Sequence, residues 1–388
     1  MAVHIKRFLS LPENDSVFLF GPRGTGKSTW LKKHLPNALY IDLLAPAYAR
    51  QLSARPEHLE ALVKGSNAET IVIDEVQKLP QLLEVVHQIM ENSHGRRFVL
   101  TGSSARKLKR SGADMLAGRA LIRNCYPFMA AELKDRFNLE DALQFGTTPV
   151  VFSSADKADA LASYLYTYIE QEVKHEGLVR NIGHFNRFME VLSFSHGSLL
   201  NTSDIARESE VPRKTVESFI SVVEDLLLGY RVSVFSRRAR RNLIKQNKFY
   251  FIDQGVFNGL RPKGLLDSPS EIAGAALEGL VFQHLKSWID YFKLKMSLQF
   301  WRTKSGNEVD FVLYGEDGFY AIEVKRSTAV RNKDLTSLKA FLDDYPEAKA
   351  MLVFMGDAPL EINGIRCVPC DSFLLSLDGP NGLQRHFS

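Results

Sequence analysis

Cysteine is scarce in this 388-residue chain: Cys125, Cys367 and Cys370 are the only three. So few thiols cannot staple a small secreted fold, and the chain reads as one of a reducing, cytoplasmic compartment. Cys367-Val-Pro-Cys370 is a lone CxxC with no second pair, which argues against a zinc centre. Long apolar runs are missing too, and no stretch approaches a membrane span, so no membrane partner is expected. The opening residues MAVHIKRFLSLPEND lack the continuous apolar core of a signal peptide. Internal repeats and low-complexity tracts are absent, which excludes solenoids and linker-rich arrays. Nor is there a large excess of charge: the formal net charge is only +4, so any nucleic-acid argument must rest on local clustering.

What is present is the composition of a globular protein, 45% apolar and 24% charged, in a chain too long for one core. Two or three domains are expected. The most informative stretch is Ser16 to Trp30, SVFLFGPRGTGKSTW. Val17 to Phe20 read as a short buried strand, and Lys27-Ser28 open an amphipathic helix. Between them lies Gly21-Pro22-Arg23-Gly24-Thr25-Gly26, so the pattern is a GxxxxGKS phosphate loop in its strand–loop–helix setting. Glycines let backbone N–H groups turn toward a phosphate, and the helix N-terminus adds unpaired N–H groups and a positive dipole end. The cradle from Gly21 to Thr29 is therefore expected to bind a nucleoside triphosphate. Lys27 would reach its β- and γ-phosphates, and the Ser28 hydroxyl would face Mg²⁺.

Thr70 to Gln77, TIVIDEVQ, predicts an apolar strand ending in two acids. Asp74 would hold Mg²⁺ through water, and Glu75 would polarise the attacking water. That adjacent pair favours an ATPase with a glutamate base. Arg97 to Thr101 predicts another buried strand, followed by Gly102-Ser103-Ser104. A hydroxyl there would sense the γ-phosphate or its attacking water; Ser103 is the first candidate and Thr101 the second, and a serine simply satisfying a turn is the alternative. Arg119, before the strand Ala120 to Asn124, is either a charge-stabilising finger for a neighbouring subunit or an ordinary surface ion pair. Strand–helix alternation makes this region a doubly wound parallel-sheet α/β domain.

Ala130 to Asn181 reads as mostly helical. Farther on, Thr202 or Asn201 caps a helix over Ser203 to Ser209, and a second helix runs from Arg213 to Leu227. Ile205, Ala206, Val216, Phe219, Ile220 and Val223 supply an apolar stripe at helix-turn-helix spacing. Two strands, Tyr230 to Phe235 and Lys248 to Ile252, complete a winged-helix pattern. Between Arg231 and Lys248 stand seven basic residues and no acid: Arg231, Arg237, Arg238, Arg240, Arg241, Lys245 and Lys248. Such a run suits a DNA backbone, or else it is a solvated face on a protein-docking module.

The last third predicts a helix over Glu271 to Tyr291 containing Glu278, then strands over Ser297 to Arg302, Asn307 to Tyr314 and Phe319 to Lys325. A hairpin turn centred between Glu316 and Asp317 sets Asp310 opposite Glu323; a turn at Asp317-Gly318 sets Asp310 opposite Lys325. Either register leaves Glu308, Asp310, Glu323 and Lys325 on one face. Carboxylates so close need a cation, either a divalent metal or Lys325. As a metal-dependent phosphodiesterase skeleton, Asp310 and Glu323 would ligate Mg²⁺, Glu278 would add a ligand, and Lys325 would orient water. A salt-bridged sheet surface is the alternative.

In its order of parts the chain resembles the prokaryotic AAA-like ATPases whose C-terminal region is an uncharacterised domain similar to PD-(D/E)xK nucleases. The carriers are GPRGTGKST, IVIDEVQKLP, LTGSSA, LAGRA, the TYIEQEV helix, NEVDFVL and AIEVKRS, which span nearly the whole chain. The resemblance implies an ASCE-type nucleotide domain with Lys27, Ser28, Asp74 and Glu75 as its functional set. It also implies Asp310, Glu323 and Lys325 as a nuclease-like set. The expected layout is a P-loop ATPase domain over 1–130, a helical linker and winged helix over 131–268, and a nuclease-like α/β domain over 269–388. ATP and Mg²⁺ are the expected ligands, with DNA, a protein partner or a second copy of the chain as expected partners.

Overall fold

The computed structural model describes residues 5–92, 95–103, 116–175, 181–237, 241, 243–265 and 267–387. The chain divides into two compact units, Leu9–Tyr126 with Asp225–Leu228, and Met1–Phe8 with Pro127–Glu224 and Gly229–Ser388.

The first unit is built on short strands of an open parallel sheet. They are β1 (Ser16–Phe20), β2 (Leu39–Asp42), β3 (Thr70–Asp74), β4 (Arg97–Gly102) and β5 (Ala120–Asn124). Helices α1 (Lys27–His34), α2 (Pro46–Ala54), α3 (His58–Lys64) and α4 (Leu82–Asn92) connect them. The central strands β1, β3 and β4 are apolar and buried on both faces, while the edge strand β5 leaves Leu121 and Ile122 exposed. The sheet order is β2-β3-β4-β1-β5 and every pairing is parallel. Phe18, Ile41, Ile71, Ile73, Val86 and Leu100 are among the fully buried residues of its core. The order reverses at β1, and β4 lies between β1 and β3. That places the ends of β4 and β3 beside the loop after β1, at the carboxyl edge where such sheets bind ligands.

The expected strand over Thr70 to Gln77 stops early, at Asp74. Glu75 turns into the left-handed region (φ 61°), and Val76–Lys78 continues as a 3₁₀ turn. A side chain held at such a φ costs roughly 1–2 kcal/mol, so surrounding contacts must impose it.

The second unit begins with helices α5 (Ala130–Leu133), α6 (Leu139–Phe145), α7 (Pro149–Phe152), α8 (Lys157–His175) and α9 (Ile182–Ser193). A small antiparallel sheet, β6 (Ser198–Leu199), β7 (Gly229–Val232) and β8 (Lys248–Phe251), then frames the pair α10 (Thr202–Ser209) and α11 (Arg213–Asp225). Asn201 caps α10, its side-chain oxygen accepting from the Ser203 and Asp204 N–H groups. Val216, Ile220 and Val223 are fully buried, and Phe219 packs its ring on Phe185 and Phe188 at 5.2 Å. The strand β8 is central, with β6 on one side and β7 on the other.

After α12 (Gln254–Leu260), the long, largely buried helix α13 (Pro269–Tyr291) leads into a six-stranded mixed sheet. Its elements are β9 (Met296–Arg302), β10 (Glu308–Gly315), β11 (Gly318–Lys325), α14 (Thr336–Asp344), β12 (Lys349–Phe354), β13 (Leu360–Ile362), β14 (Ile365–Pro369) and α15 (Cys370–Ser376). The β10–β11 hairpin pairs Phe311 with Ile322 and Gly315 with Gly318, which leaves Glu316-Asp317 as a two-residue turn. This is the first of the two registers, and one further step sets Asp310 against Glu323. A bulge between Val309 and Val312, the stretch that carries Asp310, interrupts the β9–β10 pairing. Cys367 lies in β14 and Cys370 opens α15; both are buried free thiols.

Candidate functional site

The loop after β1 is shaped by backbone that side chains would spoil. Gly24 and Gly26 take φ values of 81° and 84°, which suit glycine alone. A Cβ on Gly21 would lie 2.4 Å from the Cys125 carbonyl oxygen, so the chain leaving β5 closes that side of the loop. The Thr25 hydroxyl donates to the Pro22 carbonyl at 2.7 Å. Lys27 Nζ donates to the carbonyls of Gly21 at 2.6 Å and Pro22 at 3.2 Å. The ammonium is thus folded back on its own loop, held by neutral dipoles.

Facing it are the ends of β3 and β4. Buried Asp74 accepts from the Tyr40 hydroxyl on one oxygen and from the Thr101 hydroxyl on the other. The Ser28 side chain lies beside Tyr40 as well. Burial, reinforced by Asp74, pushes the Tyr40 phenol far above its usual range, so it stays a donor. The Thr101 oxygen accepts from the Glu75 N–H at 3.0 Å, which anchors the left-handed residue. Gln77 Nε2 donates to Glu75 Oε2 at 2.6 Å and to Ser103 Oγ at 3.2 Å. A single amide therefore links the candidate base to the first-choice sensor.

A second cluster forms in the other unit. Lys248, 1% exposed, places its ammonium 2.9 Å from Glu278 Oε1 and 3.3 Å from Asp310 Oδ1, and it pairs with Glu308 as well. Tyr250, two residues along the same face of β8, donates to Glu278. Asp310 Oδ2 accepts the Val324 N–H at 2.9 Å, and Arg302 pairs with Glu308 at 2.8 Å. Lys325 donates to Glu323 Oε1 at 2.5 Å, while Glu323 Oε2 is buried without a hydrogen-bond partner. Burial works against the Lys248 charge, yet Glu278, Asp310 and Glu308 hold it well above the usual lysine range. Burial, then Asp310, push the Glu278 carboxyl up to about 7 and raise Glu323 well above the usual range.

Against known families, residues 13–134 match the model described as an AAA domain. The strand order, the loop and the acid pair at the end of β3 agree with it. This part of the chain is similar to AAA domains and carries its phosphate loop between a strand and a helix. Residues 136–265 and 273–373 match two domains of unknown function, DUF8612 and DUF4143. Curated relatives include uncharacterized proteins of Mycobacterium bovis and Mycobacterium tuberculosis. Each is 24% identical over 373 residues, spanning 92% of this chain and 80% of the relative. Among solved structures, the replication initiator DnaA bound to AMPPCP and single-stranded DNA matches 54% of this chain and 82% of its own, at 14% identity and a TM-score of 0.29. A likeness that loose fixes nothing about ligands.

In the AAA-like domain, Lys27, Asp74 and Glu75 are ordered by contacts the sequence does not display. Tyr40 and Gln77 were missed because a tyrosine in one strand and a glutamine after another carry no local signal. Arg119 is exposed and pairs with Glu91 at 3.1 Å across to α4. The basic run between Arg231 and Lys248 is largely spent inside its own unit. Arg231 pairs with Glu224 and Glu217, Arg241 with Asp344 and Asp343, and Lys248 with the acid cluster. Arg237 stacks over Tyr314 at 4.9 Å; Arg238 and Arg240 lie outside the described residues. The acid cluster does not fit a divalent cation, because an ammonium sits among its carboxylates. Among the described residues, no three His, Cys, Asp or Glu side chains are arranged to hold a metal.

Proposed function

We propose that the AAA-like domain hydrolyses ATP to ADP and phosphate with Mg²⁺, and that its nucleotide state switches what the second unit engages. The observation that carries this is the link from Thr101 to both Asp74 and Glu75, facing a loop whose lysine rests on neutral carbonyls. Ser28 and Asp74 would hold Mg²⁺, which when bound neutralises charge on the phosphate oxygens. Lys27 exchanges two carbonyl contacts for charge-assisted ones to phosphate. Glu75 orients and takes the proton from the attacking water. Ser103, tied to Glu75 through Gln77, senses the γ-phosphate, and Arg119 serves a neighbouring copy in an oligomer. The remaining residues from Gly21 to Thr29 form the cradle.

The second unit is read as a winged-helix module joined to a nuclease-like fold that does not cut. What supports a protein-docking role over DNA is the internal pairing of the basic run. DNA contact is the second reading, favoured by Arg213, Lys214 and Lys245, which are exposed at the start of α11 and ahead of β8. Titrating labelled DNA at low and raised salt separates the two, since phosphate contacts weaken steeply with salt.

ATP turnover tests the main reading. Glu75→Gln is expected to keep ATP binding and lower phosphate release by about 10²–10⁴-fold. Unchanged turnover in that variant removes Glu75 as the base.

A further inference from the structure

The acid cluster was expected to need a cation, and the chain supplies its own. We infer that Lys248 is the resident counter-ion of Glu278, Glu308 and Asp310: its ammonium fills the place a divalent cation would take and locks β8 to the β10–β11 hairpin. This rests on the second unit alone and stands or falls apart from the ATP reading.

Three features carry it. An ammonium has three donors, and here three carboxylates receive them. The lysine cannot easily withdraw, because β8 is the central strand of its sheet: Lys248 pairs with Val232 on one side and Leu199 on the other. Further donors already draw on the same carboxylates. Tyr250 shares Glu278 Oε1 with Lys248, the Val324 N–H takes Asp310 Oδ2, and Arg302 takes Glu308 Oε2. A divalent ion drawing on these oxygens, at the short distances such ions need, would have to share them with a fixed positive charge. Glu323 Oε2 is buried without a hydrogen-bond partner, while Glu323 Oε1 accepts from Lys325.

The consequence is a nuclease-like centre converted into a structural pin. Lys248 joins the sheet beneath the helix pair to the hairpin, so a cation that would otherwise come and go is built into the chain. Sequence spacing concealed this, because Lys248 stands 62 positions from Asp310 and 30 from Glu278.

Manganese binding and thermal melting test it together. The full chain carrying Asp74→Asn, which clears the nucleotide-site metal ligand, is titrated with Mn²⁺ and free Mn²⁺ is read by electron paramagnetic resonance. The expected result is no Mn²⁺ site that depends on Asp310. Adding Lys248→Ala should create one such site, and adding Asp310→Asn should remove it again. In parallel, Lys248→Met should lower the melting midpoint by about 10 °C, and the double variant Lys248→Met with Glu278→Gln should recover about half of that loss. An Asp310-dependent Mn²⁺ site in the chain with Lys248 intact overturns the inference. So does a Lys248→Met midpoint equal to wild type, a Lys248→Ala chain that takes up no Mn²⁺, or no recovery in the double variant.

Discussion

Lys27 and Lys248 are both buried, 5% and 1% exposed, yet their surroundings are opposite. Lys27 rests on two backbone carbonyls of its own loop. Lys248 rests on three carboxylates brought from a helix and a strand. Neutral dipoles stabilise an ammonium only modestly, so a phosphate arriving at Lys27 replaces weak partners with strong ones. Carboxylates neutralise it outright, so Lys248 has nothing to gain from a further anion. A lysine on carbonyls is held ready, whereas a lysine among acids is already used.

The contrast can be broken most directly at Lys27. Lys27→Ala is expected to abolish ATP binding and turnover, measured by calorimetry and phosphate release. Because only carbonyl contacts are lost, stability should change by less than about 1 kcal/mol. Truncating Lys248 strands buried carboxylates, for which a loss of about 3–5 kcal/mol is the usual scale. Equal destabilisation by the two substitutions would erase the distinction between them.

A second test concerns how the first site orders its acids. Thr101 donates to Asp74 and accepts from the Glu75 N–H, so one hydroxyl fixes both. Thr101→Val keeps the shape and removes both bonds. We expect kcat to fall by about 10–100-fold, the equivalent of one or two hydrogen bonds, with KM for ATP shifted by less than about 3-fold. Steady-state kinetics over a range of ATP concentrations separates the two parameters. A kcat within twofold of wild type would mean that the acid pair holds its own geometry.

Legibility followed locality. The loop from Gly21 to Ser28 is contiguous, and each glycine answers a local constraint, such as the φ of 84° at Gly26. The hairpin face was legible because strand side chains alternate, whereas the register stayed open between two turns until the Gly315–Gly318 pairing decided it. Helix α10 was readable from a cap at Thr202 or Asn201, and the structure gives the cap to Asn201. What escaped were partners far apart in sequence. Tyr40 reaches Asp74 from the neighbouring strand, and Glu75 leaves the strand through a left-handed turn that no apolar pattern announces. Lys248 was read as part of a basic surface run. Its alternation with Tyr250 did place the two on one face, but only the packing of α13 shows that this face is lined with acid.

The smallest expected effect is a pH dependence confined to the acid cluster. Burial and Asp310 raise Glu278 from 4.5 to about 7, despite Lys248. A carboxyl raised on folding binds its proton more tightly in the folded chain. Its contribution to stability is therefore fully present below about 4.5 and is lost as pH rises through about 7. Buried His196 and His284, lowered by burial to about 3 and about 4, act with the opposite sign: their contribution is present above 6.5 and lost as pH falls. The wild-type curve blends these trends, so the difference between wild type and Glu278→Gln is the quantity to measure. Urea midpoints between pH 5 and 8 should show wild type losing about 1–3 kcal/mol relative to Glu278→Gln as pH rises. Glutamine still accepts from Tyr250 and Lys248, so the variant isolates the proton. A flat difference would mean that Lys248 keeps Glu278 ionised throughout, making the lysine's hold on the cluster stronger still.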